Sequence, residues 1–162
     1  MSSDISGAPG PGQILTFHLD QQVFGVDILR VREIRGWAPV TAVPETPPHV
    51  LGVLNLRGAI VPVIDLRARL GMEKVAETAT TVIIVLTVAV ANGKRDFGLV
   101  VDAVSDVTDV NASDIREAPT GITLTDRSSV PALATIGDRR VLLLDIDGML
   151  AADAAVALDA TA

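Results

Sequence analysis

Short apolar runs broken by turn residues dominate this chain. Leu15, Phe17 and Leu19 alternate with Thr16, His18 and Asp20, the period of two expected of a strand with one face in a core and the other toward water. The longest apolar run, Val82-Ile83-Ile84-Val85-Leu86-Thr87-Val88-Ala89-Val90-Ala91, is rich in β-branched residues and ends on Asn92-Gly93. It reads as a buried strand entering a hairpin, and it is far shorter than the ~20 residues a membrane-spanning helix needs. Further turn signals stand at Gln21-Gln22, Gly137-Asp138 and the proline-rich Pro44 to Pro48. Helical pattern is confined to a turn or two at Leu66 to Leu70 and an Ala- and Leu-rich stretch from about Ile146 through Leu158. Short strands that cannot each cover both faces usually close into small barrels, so the expected class is all-β with minor helix.

The same two blocks occur twice in the same order. Phe24-Gly25-Val26, followed by Val31 and Ile34, returns 73 residues later as Phe97-Gly98-Leu99, followed by Val104 and Val107. Val61-Pro62-Val63-Ile64-Asp65-Leu66 returns 80 residues later as Val141-Leu142-Leu143-Leu144-Asp145-Ile146. Chance similarity between β-rich apolar segments is the bland account, but the shared order points to two copies of one small β unit. Two such lobes leave a groove between them, a favoured place for binding. Within the first copy the pattern predicts a bend after Ile28 and a strand from Val31, with Val31, Glu33 and Arg35 on one face. An apolar residue beside opposite charges suits a protein contact. The alternative is an ordinary surface ion pair worth ~0–1 kcal/mol.

Composition narrows the functions that remain. With 162 residues and 49% hydrophobic content, the chain can bury a core without covalent staples. It contains no Cys, which removes disulfides, thiolate metal sites and cysteine nucleophiles. A net charge of −7 with 2% aromatic residues supplies neither the basic footprint nor the stacking surfaces of a nucleic-acid binder. His18 and His49 are the only two histidines, too few for a metal cluster or for a nucleophile with its base. Ser128-Ser129 lacks a nucleophile-elbow context, and Gly7, Gly10 and Gly12 lie in a Pro-rich stretch that makes no phosphate loop. Residues 1–12 read as a flexible tail rather than a signal peptide, and the expected location is the cytoplasm. No cofactor is expected, and a binding module is what remains; a small β-barrel enzyme or small-ligand carrier is the alternative.

One segment carries a more specific likeness. Gly52-Val53-Leu54-Asn55-Leu56-Arg57-Gly58-Ala59-Ile60-Val61-Pro62-Val63-Ile64-Asp65-Leu66-Arg67 sets two strand-like runs around a tight connection, where Gly58 can supply a positive φ. Asn55 and Arg57, two apart, project from one face at the strand end. With Phe24 to Gly36, Thr46-Pro47-Pro48, Phe97 to Val107 and Ile115 to Pro119 in order, the chain resembles the CheW family, the coupling proteins that join chemoreceptors to the histidine kinase CheA. Trp37 after Gly36 and the length of the hairpin around Asn92-Gly93 depart from the usual pattern.

That resemblance implies two SH3-like, five-stranded β-barrel lobes within residues 13–150, provisionally 13–79 and 80–150. A segment returning between the lobes is left open, and residues 151–162 would be a helix end and tail. It implies two partners: the regulatory domain of CheA, and the cytoplasmic tip of a chemoreceptor in the inter-lobe groove. Val31, Glu33 and Arg35 would face the kinase, and Asn55 and Arg57 the receptor. Trp37 follows the Val31 to Gly36 strand, a position close to that kinase surface, with a core residue capping the lobe as the alternative. Arg57 has a structural alternative, holding the turn through nearby carbonyls. Val82, Ile83, Gly98, Val104 and Val107 match family positions lining the groove, although for Val82 and Ile83 core packing is the stronger reading. Membrane association would come only through partners.

Overall fold

The computed structural model describes residues 8–90, 93–118 and 129–150. Among these residues eleven strands form two sheets. The first half of the chain supplies β1 (Gly12–Leu19), β2 (Gln22–Asp27), β3 (Val31–Gly36), β4 (Val50–Leu56) and β5 (Ala59–Asp65). The second supplies β6 (Val82–Val90), β7 (Gly93–Val101), β8 (Ala103–Val110), β9 (Ile115–Glu117), β10 (Ala132–Ile136) and β11 (Arg139–Leu143). A one-turn 3-10 helix, Ile28–Arg30, makes the expected bend before β3, and α1 (Leu66–Arg69) follows β5. Residues 146–150 are helical; the rest of the helix expected through Leu158 lies outside the described residues, as do Asn92, Pro119, Ser128 and most of the N-terminal tail.

The strand order corrects the contiguous-lobe expectation. One sheet runs β8-β1-β2-β11-β10-β9 and the other β3-β6-β7-β5-β4, so neither sheet is built from 13–79 or from 80–150 alone. Each takes a hairpin from one repeat and three strands from the other. Phe24-Gly25 of the first copy lies parallel to Leu142-Leu143 of the second, while Gly98-Leu99 of the second lies parallel to Val63-Ile64 of the first. Gly25 faces Leu143 and Gly98 faces Val63, so the two exchanged pairings share one register. The chain passes from sheet to sheet at Ile28–Arg30 and again at Asp102, the single residue between β7 and β8. The first sheet also gains the short β9 as a sixth strand.

Three apolar clusters explain why this exchange is stable. The largest lies between the sheets and takes Leu15, Phe17, Phe24 and Leu142 from one and Ile64, Leu86, Phe97 and Leu99 from the other. Phe17 and Phe24, cross-strand partners, stack with ring centroids 5.8 Å apart. Each sheet also curls around a core of its own. Ile14, Val110, Ala134, Val141 and Leu143 fill the six-stranded sheet, and Leu56, Val61, Ile83 and Val85 fill the five-stranded one, with Trp37 and Leu54 against them. Fully burying one such aliphatic side chain contributes roughly 1.5–3 kcal/mol, so a segment that left its partner sheet would forfeit several of them.

Thr16 departs from the alternating pattern. Its polar-phase position predicts exposure, yet it is fully buried, because both faces of β1 are covered: Leu15 and Phe17 face the core between the sheets, and Thr16 shares the other face with Ile14, which lies in the core the six-stranded sheet curls around. Its hydroxyl donates to the Asp106 carbonyl at 3.0 Å and to the Asp106 carboxylate at 2.5 Å, and accepts from the Asp106 N–H. A buried hydroxyl satisfied in this way escapes the desolvation cost that an unpaired one would carry.

Candidate partner-binding surface

The β4–β5 hairpin supplies the best-defined feature. Leu56 pairs with Ala59, leaving Arg57-Gly58 as a two-residue turn with φ of 54° and 87°. Two left-handed residues in succession match the twist of the flanking strands, and Gly58 takes its place without a Cβ penalty. The Gly58 N–H donates to Asn55 Oδ1 at 2.9 Å, so the turn is fastened by Asn55 rather than by the Arg57 side chain. Arg57 is thereby freed, and its side chain is 80% exposed.

Arg57 reaches across to β3. Its Nη1 donates to Glu33 Oε1 at 2.8 Å, while Arg35 Nη1 donates to Glu33 Oε2 at 3.1 Å. The two hydrogen bonds, that from Arg57 first, hold the Glu33 carboxyl below the usual glutamate range. β3 and β4 are the two edges of the five-stranded sheet, so the Glu33–Arg57 contact bridges the seam where the curled sheet meets itself. A cleft of about 280 Å³ opens beside the pair, reaching Leu56, Val61 and Val85. Glu33, expected to face the kinase, and Arg57, expected to face the receptor, therefore lie in one cluster, not on separate patches.

Val31, Glu33 and Arg35 do share a half-buried face of β3. Trp37, just beyond β3, is half-buried over the small core of the five-stranded sheet. With Leu51, Val75 and Val100 it also lines a second cleft of about 220 Å³.

The five groove candidates separate. Val82 and Val104 are half-buried against the core between the sheets, one from each sheet, and Val107 is 47% exposed on the edge strand β8. Ile83 is fully buried and Gly98 is buried beneath it; a Cβ on Gly98 would stand 2.8 Å from Ile83 Cγ2. Neither offers surface to a partner, which corrects their placement in the groove. They pack the sheet that carries the surface.

Sequence reading passed over two ion-pair clusters. Arg67, with its side chain 7% exposed, donates through Nε and Nη2 to both oxygens of Asp102 at 2.9 and 2.5 Å, through Nη2 to Asp20 at 2.6 Å and through Nη1 to the Glu73 carbonyl at 3.0 Å. Arg30 donates to both oxygens of Asp147 at 2.8 and 2.6 Å. The available signal was that residues 67 and 147 fall at matching points of the repeat. Among the described residues no group of three or more His, Asp or Glu is placed to hold a metal ion, and no helix is long and apolar enough to cross a membrane. A carboxylate held ionised by two guanidiniums, as Glu33 is, makes a poor general base.

Comparison with known proteins bears on what is recognised. The family model for the CheW-like domain matches residues 13–154. This chain belongs to the CheW-like domain family. The chemotaxis protein CheW of Klebsiella aerogenes is 38% identical over 157 residues, covering 97% of this chain and 92% of that protein. The chemotaxis protein CheW of Rhizobium meliloti is 41% identical over 140 residues, covering 86% and 88%. Among solved structures, the scaffolding protein TtCheW from Thermoanaerobacter tengcongensis superposes with a TM-score of 0.76 at 31% identity, covering 86% of this chain and 92% of that one. The all-β, two-lobed CheW-like fold expected from the sequence is the fold found.

Proposed function

We propose that this protein is a non-enzymatic, cytoplasmic adaptor that couples chemoreceptors to the histidine kinase CheA. The observation that carries the reading is the CheW-like match across residues 13–154, nearly the whole chain. Val31, Glu33, Arg35 and Trp37 form the kinase-facing part of the surface. Asn55 and Arg57, with Val82, Val104 and Val107, form the receptor-facing part. Mixed charges around an apolar centre favour a specific protein partner over a small ligand.

Coupling requires that the adaptor bind receptor and kinase together and bind one kinase state better than the other. The Glu33–Arg57 contact gives this a physical route: a partner that draws Arg57 away leaves Glu33 to Arg35 alone and changes the charge presented from β3. The test is reconstitution of receptor cytoplasmic fragment, kinase and this protein, with kinase autophosphorylation followed as each is omitted. Receptor-dependent change in autophosphorylation only when all three are present supports the reading. Failure to bind either partner overturns it.

A further inference from the structure

Strand β6 is longer than the partner that covers it. Its pairing with β3 ends at Leu86, whereas its pairing with β7 continues through Val90, so Thr87–Val90 presents a backbone edge that no strand among the described residues occupies. Two side chains stand in the gap. Arg30 Nη1 donates to the Thr87 carbonyl at 3.0 Å, and Asp147 Oδ1 accepts from the Ala89 N–H at 2.8 Å. One donor to residue 87 and one acceptor from residue 89 is the pair of bonds that a single residue of a parallel neighbouring strand would make. The guanidinium and the carboxylate, locked together, stand in for a strand.

The other half of the molecule closes the matching edge differently. There the Asp102 N–H donates to the His18 carbonyl at 3.1 Å and the Asp102 carboxylate accepts from the Asp20 N–H at 2.8 Å. Half of that cap is main chain, fixed at the crossover between the sheets. Over β6 the cap is wholly side chain, and both members are 34% exposed, so it can swing away without disturbing the backbone. Unpaired edges template strand addition unless they are covered or charged.

We propose that the Arg30–Asp147 pair guards the free edge of β6, and that once the pair is opened a second copy of this chain adds there by strand pairing over Thr87–Val90. The segment is self-complementary. Two copies related by a twofold axis through Val88 run antiparallel, and each brings its Ala89 N–H to the other's Thr87 carbonyl. The two bodies then lie at opposite ends of the paired segment, because β3 flanks β6 only before Thr87. Thr87-Val88-Ala89-Val90 carries no charge to oppose the contact and no Pro to interrupt it.

The experiment is sedimentation velocity of the full chain over a concentration series, comparing the unaltered protein with Asp147→Ala and with Asp147→Ala combined with Ala89→Pro. Since Ala89 gives its N–H to Asp147 and not to β7, proline removes the outward donor while sparing the hairpin, as proline does on strand edges. The unaltered protein should sediment as a monomer, Asp147→Ala as a concentration-dependent dimer, and the double variant as a monomer again. Should Asp147→Ala not fold, Arg30→Ala opens the same edge and is read the same way. A folded single variant that stays monomeric throughout the series overturns the proposal. So does a dimer that Ala89→Pro leaves intact.

Discussion

Asp102 and Asp147 perform the same task in opposite halves of the molecule. Each carboxylate accepts from a backbone N–H at the end of a central strand, Asp20 or Ala89, at 2.8 Å. Each is fastened by a guanidinium, Arg67 or Arg30. Arg67 and Asp147 stand 80 residues apart at the same point of the repeat, so the ion pair has kept its place while its polarity has reversed. Both pairs tie the turn after the last strand of one repeat to a crossover between the sheets.

Their contributions to stability should differ because their burial differs. Asp102→Ala leaves the nearly buried Arg67 cation with only Asp20 as a charged partner, and breaking a buried pair in this way costs about 3 kcal/mol. Asp147→Ala disrupts a pair that is one-third exposed on both sides, for which about 1 kcal/mol is expected. Urea unfolding of the two variants measures the difference; equal losses would show that the buried guanidinium finds another partner.

The same carboxylates set the acid limb of stability. Hydrogen bonds from Arg67 and from Arg30, respectively, are the main cause of Asp102 and Asp147 titrating below the ordinary aspartate value. Groups whose folded pKa is lowered stabilise the fold fully above the unfolded value, about 3.9, and lose that contribution as pH falls through the lowered folded values. Unfolding free energy should therefore decline below about pH 4. In Asp102→Ala combined with Asp147→Ala the decline should be shallower, since that variant has no such contribution to lose. A double variant with the same acid slope would assign the decline to other carboxylates.

Gly98 and Ile83 should behave as a packing pair. Gly98→Ala places a methyl 2.8 Å from Ile83 Cγ2, and overpacking of this kind costs roughly 1–3 kcal/mol. Combined with Ile83→Ala, which removes that methyl, the added cost of Gly98→Ala should shrink or vanish, a non-additivity typical of residues in contact. Full additivity in the cycle would mean that the two residues do not share a site.

How far the sequence revealed this molecule depended on the range of each interaction. The repeat, the bend before Val31, the Gly137-Asp138 turn and the short helix at Leu66 are local, and local pattern exposed them. The first turn falls at Asp20-Gln21, one residue before its expected place, because Gln22 joins β2. The exchange of hairpins between repeats is invisible to periodicity, since a parallel neighbour 118 residues away, Leu142 beside Phe24, leaves no spacing signal. For the same reason Glu33 and Arg57 read as members of two surfaces. Nothing in a strand pattern says that the edges of a curled sheet meet.

That meeting is testable by exchanging charges. Glu33→Arg places a cation beside Arg35 and Arg57 and should weaken kinase binding, with the largest effect at low salt, where screening is least. Arg57→Asp should weaken receptor binding more than kinase binding. Because the two side chains bond to each other, Glu33→Arg combined with Arg57→Glu should recover part of the kinase affinity in titration calorimetry. If the combined variant loses at least the sum of the single losses, the contact between Glu33 and Arg57 plays no part in presenting the surface.

Trp37 offers a direct optical readout, since it is the only Trp in a chain without Tyr. Its indole is packed on one side against the core of Leu56, Val61, Ile83 and Val85 and is open on the other, so emission from the free protein should fall between the values for buried and fully solvated indole. Aromatic rings of this kind serve as interface anchors because they bury a large area at small entropic cost. Adding a Trp-free kinase regulatory domain should shift the emission to shorter wavelength as the open side loses water. Trp37→Ala should lose kinase affinity while costing less than the roughly 3–5 kcal/mol of a fully buried aromatic, because the side chain is already partly exposed. Emission that stays fixed while calorimetry shows the kinase domain bound would place the interface away from Trp37 and move the search toward β8, where Val107 stands exposed.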